Sequence, residues 1–140
     1  MKLFALVFSL VLLPTAALAC KPCESGVDPA ISRSDTVVIA TLQKALPKKE
    51  YKDGDEIYFK LNVNEVLMGD KKLKELEIEQ KVYRCEPVPF IPVKSKKYVY
   101  FLEQDKNKYY MQRYCGSDPL EVAKTNMTEL KKKLEGKNER

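Results

Sequence analysis

The chain has 140 residues, with 25 Lys and Arg against 20 Asp and Glu, four cysteines and no histidine. That length suits one domain with a core of its own. The missing histidine excludes Ser-His-Asp and Cys-His catalysis, histidine-ligated zinc and a Cys-x-x-Cys-His haem site. Basic and acidic residues are interleaved, which reads as a solvated surface, and no nucleic-acid motif accompanies the formal charge of +5. Nothing groups carboxylates or lysines into a catalytic set, so the chain reads as a non-enzyme without a cofactor.

Residues 1–19 have the form of a secretory signal. Lys2 precedes an apolar run from Leu3 to Leu13, Pro14 closes it, and Ala17-Leu18-Ala19 is a small-x-small cleavage site. The run is too short to span a bilayer. Cleavage after Ala19 makes Cys20 the first residue, in an exported chain whose even cysteine number fits an oxidising compartment, secreted or periplasmic. Ala17-Leu18-Ala19-Cys20 is also similar to the lipobox of bacterial lipoproteins, with its leucine one position late. Lipid on the Cys20 sulfur would anchor the protein to a membrane and leave three cysteines, one unpaired.

After Cys23 and the polar Glu24-Ser25-Gly26, Asp28-Pro29 predicts a short helix with Asp28 as N-cap. Thr36 to Leu42 is β-branched and reads as a strand, and Pro47 to Gly54 as a loop. Ile57, Phe59, Leu61 and Val63 alternate with Tyr58, Lys60 and Asn62, the pattern of a half-buried strand ending at the Met68-Gly69-Asp70 turn. Leu76, Ile78 and Gln80 alternate with Glu77 and Glu79 in a third strand directed toward Val82 and Cys85. Pro87, Pro89 and Pro92 make the next stretch an extended connector. Lys97–Glu103 and Lys108–Tyr114 form a hairpin about Asp105-Lys106-Asn107.

Leu120, Ala123, Met127, Leu130 and Leu134 recur at helical spacing, predicting a C-terminal helix capped by Asp118-Pro119 and ended by Gly136. Asn126-Met127-Thr128 matches a glycosylation sequon but falls on that helix, where chance is the simpler reading. Lys131 to Lys133 suit the helix's last turns electrostatically. Tyr98, Tyr100, Tyr109, Tyr110 and Tyr114 read as core or barrel-edge packing rather than a stacking platform.

Five strands in antiparallel order with helices at the ends predict an all-β fold. Its simplest form is a five-stranded Greek-key barrel of the OB type spanning residues 20–136, before a polar tail at 137–140. A sandwich needs about seven strands. Four cysteines allow three pairings. Cys20-Lys21-Pro22-Cys23 matches a thioredoxin-type spacing, but no βαβ context surrounds it.

The cysteine pair at the mature N-terminus, Ser34-Asp35-Thr36-Val37-Val38-Ile39-Ala40, Asn64-Glu65-Val66-Leu67-Met68-Gly69 and Lys97-Tyr98-Val99-Tyr100-Phe101-Leu102 together resemble the netrin-like module. That module includes the inhibitory domain of the tissue inhibitors of metalloproteinases. The resemblance implies disulfides Cys20–Cys85 and Cys23–Cys115, each contributing about 4 kcal/mol on the chain-entropy model. It also implies a monomer whose Cys20 amine and carbonyl chelate the catalytic zinc of a target protease, an open coordination position of the kind such sites keep. Lys21 and Pro22 would then enter the cleft, with Arg84 and Glu86 on the neighbouring ridge. The chain departs from the inhibitors in having two residues between its first two cysteines instead of one, and in lacking their third disulfide and C-terminal subdomain. The rival expectation is a netrin-like adaptor that binds another extracellular protein or a glycan.

Overall fold

A computed structural model describes residues 26–45, 50, 52, 54–82, 89–111 and 118–139. In chain order these form α1 (Val27–Arg33), β1 (Thr36–Ala45), β2 (Glu56–Met68), β3 (Glu75–Lys81), β4 (Lys97–Asp105), β5 (Lys108–Met111), the two-residue β6 (Leu120–Glu121), a 3-10 turn (Val122–Lys124) and α2 (Met127–Asn138). The strands join in the order β1-β2-β3-β5-β4, and β4 pairs back onto β1 to close a five-stranded barrel of OB type with flanking helices.

One seam departs from the antiparallel order expected. β3 and β5 pair in parallel, Ile78 opposite Tyr109 and Glu79 opposite Tyr110. The reason is parity: five strands cannot close into a ring with every neighbour reversed, so at least one seam must be parallel. The seam falls where the β4–β5 hairpin brings β5 back beside β3.

Alternation sorts the side chains into two clusters. Val38, Ala40, Leu42, Ile57, Phe59, Leu61, Leu76, Ile78, Tyr98, Tyr100, Leu102 and Met111 fill the barrel interior. Val37, Ile39, Val99 and Phe101 point outward from β1 and β4, where Ala30 and Ile31 of α1 and Leu130 and Leu134 of α2 cover them. Hence β1 and β4 are apolar almost without interruption, while β2 and β3 alternate with exposed polar residues.

Gly69 lets the chain leave β2 beside the start of β1. Its φ is 106°, and a Cβ there would lie 2.9 Å from the Thr36 Oγ1. Only glycine meets both conditions without strain.

Both helices begin at other residues than the sequence predicts, and α2 also ends later. α1 is capped by Gly26, whose carbonyl accepts the first helical bond from the Ala30 N–H, so Asp28 and Pro29 lie inside the first turn. Pro29 is tolerated there because N–H groups of the first turn have no helical partner. The Asp28 carboxylate is drawn outward to Lys133, 3.0 Å away.

Residues 120–125 are not α-helical. Leu120 and Glu121 pair with Val99 and Tyr98, extending the flank of β4 that β5 leaves at Leu102. The Thr125 hydroxyl donates to the Glu121 carbonyl, and the Asn126 side chain accepts the Glu129 N–H as the true N-cap of α2. The sequon asparagine is thus an exposed cap residue, with Met127 half-buried behind it. Gly136 does not stop the helix, which continues to Asn138. Its last turn is held by Lys137, whose ammonium donates to the carbonyls of Ile31 (2.6 Å), Ser34 (2.6 Å) and Ser32 (3.3 Å) at the end of α1.

Candidate functional site

The residues expected to act, Cys20, Lys21, Pro22, Arg84 and Glu86, lie outside the described residues, as do Cys23, Cys85 and Cys115. What is described are the barrel positions from which their segments depart. β3 and β5 run side by side in one direction, and their last described residues are Val82 and Met111. Cys85 is three residues beyond the first and Cys115 four beyond the second. Both segments therefore leave the barrel from one rim within a few residues' reach of each other, each residue spanning at most about 3.6 Å.

The segment holding Cys115 is bounded again at Leu120, opposite Val99 on the same flank of β4. The 3-10 turn carries the chain from there to Asn126. Val27, four residues after Cys23, lines a cavity of about 120 Å³ with Thr125, Asn126, Glu129, Leu130 and Lys133. The start of α1 thus sits at the start of α2, just past β6.

Ionic contacts hold this flank. Glu121 takes Lys96 at 2.9 Å and Lys124 at 3.2 Å. The hydrogen bond from Lys96 holds the Glu121 carboxyl below its usual range and raises Lys96 in turn. Lys133 bridges Asp28 and Glu129, and the Asp28 hydrogen bond raises its ammonium. A groove of about 670 Å³ runs between α1 and α2, with Ser32, Lys132, Lys133 and Lys137 among its lining residues. Lys137 is committed to three carbonyls and Lys133 to two carboxylates, so neither is presented freely to an anion.

Among the tyrosines, Tyr98 and Tyr100 are buried in the barrel interior and Tyr109 packs partly against it, as expected of core residues. Tyr114 lies outside the described residues. Tyr110 instead shares the outer wall with Tyr58, a residue the sequence marks only as the polar side of a strand. Glu79 stands between them: Tyr58 is opposite Glu79 on β3, and Glu79 opposite Tyr110 on β5.

Among the described residues no helix is long and apolar enough to cross a membrane, and no group of His, Cys, Asp and Glu is placed to hold a metal ion. No protein-family model matches the chain. No curated protein matches it either.

Proposed function

We propose that the chain is a netrin-like module that is exported and inhibits zinc metalloproteinases through its mature N-terminus. The Cys20 α-amine and carbonyl form a bidentate ligand for the target's zinc, displacing the water that would attack the substrate. Lys21 and Pro22 follow into the cleft beside the ridge carrying Arg84 and Glu86. Disulfides Cys20–Cys85 and Cys23–Cys115 keep the ligand rigid, which lowers the ordering cost of binding. The observation that supports this reading is the parallel ending of β3 and β5, from which the segments holding Cys85 and Cys115 depart side by side, with the start of α1 beside Thr125 and Asn126 past β6.

The test is inhibition of a panel of zinc metalloproteinase catalytic domains by the exported chain, beside a form with one alanine added ahead of Cys20. The proposal expects inhibition by the first form and a loss of at least about a hundredfold by the second, as a lost metal ligand implies. Equal potency of the two forms refutes chelation. Inactivity of both favours the adaptor reading, which the uncovered outer wall of β2, β3 and β5 supports.

A further inference from the structure

The outer wall of the barrel carries one row that differs from its neighbours. Its side chains are set in cross-strand rows about 5 Å apart. Above the row, Glu56 of β2 faces Lys81 of β3. Below it, Lys60 faces Glu77 and bridges Glu75 at 3.4 Å. These rows balance their own charge. Between them the register reads Tyr58, Glu79, Tyr110 and Glu103 across β2, β3, β5 and β4, two aromatics alternating with two carboxylates and no cation.

Glu79 is half-buried between the two tyrosines and, among the described residues, has neither a hydrogen-bond nor an ion-pair partner. Tyr58 is 56% exposed, high for so large a ring. Its hydroxyl donates to Glu56 at 2.8 Å, which steadies it against the wall. The Glu56 hydrogen bond, then partial desolvation and the nearby Glu79 and Tyr110, raise the Tyr58 phenol. The charges that raise it are those of the Glu79 and Glu56 carboxylates. β2 and β5 flank β3 on either side, about 10 Å from each other, which leaves room for a planar cation over Glu79.

We propose that this row seats an arginine or lysine side chain of a basic protein partner, its cation held between the Tyr58 and Tyr110 rings and neutralised by Glu79. Aromatic faces attract cations through their quadrupole, and the carboxylate supplies the charge. The chain as a whole is basic, with a formal charge of +5, so general electrostatics oppose such a partner and only a local site can hold it. A neutral glycan would use the rings but leave Glu79 without a counter-charge. The proposal rests on Tyr58, Glu79 and Tyr110 alone and stands whether or not Cys20 inhibits a protease.

The experiment is calorimetric titration of the exported chain at low salt with a short arginine-rich peptide, and with a neutral peptide and a neutral oligosaccharide as probes. The arginine-rich peptide should bind, and Tyr58→Ala and Glu79→Gln should each weaken it about tenfold. Glu77→Gln, one row away and opposite Lys60, should change it less than twofold. Amide shifts on binding should centre on Tyr58, Glu79 and Tyr110. Failure of the native chain to bind the peptide overturns the proposal. So does equal loss in the Glu77 and Glu79 variants, which marks diffuse attraction, or tighter binding of the oligosaccharide, which marks a sugar platform.

Discussion

Residues 36–40 of β1 and 98–102 of β4 are buried on both faces, inside by the barrel interior and outside by α1 and α2; β2 and β3 are buried on one face and wet on the other. That covered stretch has no exposed side chain, and its outward residues pack against the helices. The uncovered wall can vary its outward side chains at little cost to folding. Stability should therefore concentrate in the first wall and recognition in the second.

The largest break in this comparison comes from emptying the covered wall. Phe101 is 2% exposed under the helices, and Phe101→Ala should cost about 3–5 kcal/mol in denaturant unfolding. Tyr58→Ala on the uncovered wall should stay within about 0.5 kcal/mol. A similar loss in both would mean the walls are not distinct.

Gly69→Ala tests the join between them, where β2 ends against Thr36. A left-handed alanine with its Cβ 2.9 Å from a hydroxyl should cost about 1–3 kcal/mol. Lys137→Met removes the clamp between α2 and α1 and should cost about 1–2 kcal/mol. Hydrogen exchange should then rise in α1 before the barrel strands. Uniform exchange would show that the helices do not form a separable layer.

The smallest effect concerns Tyr100, fully buried in the interior with no hydrogen-bond partner for its hydroxyl among the described residues. Burial, with a smaller contribution from Tyr98, pushes its phenol well above the ordinary value of 10.0. The folded chain keeps the phenol neutral while the unfolded chain ionises it. Its contribution is thus complete below about pH 10 and declines as pH rises toward the folded value. Tyr100→Phe should remove part of that alkaline loss and change neutral-pH stability by less than about 1 kcal/mol. An unchanged alkaline slope would contradict the assignment.

The uncovered wall was the more legible of the two. The alternation of Ile57, Phe59 and Leu61 with Tyr58 and Lys60 identifies β2 directly, and its inward residues are the ones observed. β1 and β4 also read as strands from β-branched and aromatic content, but their continuous burial hides which residues face the helices. The C-terminal stripe misled because Leu120 and Ala123 share helical spacing with Met127 by coincidence. Leu120 instead fills an open edge of β4, a demand made by a strand far away in sequence. Asp28-Pro29 misled by two residues because Lys133 of α2 takes the Asp28 carboxylate. The Tyr58–Glu79–Tyr110 row is invisible in the sequence: it exists only through the parallel seam that closing five strands requires.

Peptide mapping by mass spectrometry, without reduction, of the chain produced from its full sequence in an exporting host tests the proposed function most directly. The account predicts a mature start at an unmodified Cys20, with linked peptides joining Cys20 to Cys85 and Cys23 to Cys115. A lipid adduct on Cys20, a start elsewhere, or a Cys20–Cys23 link would contradict it.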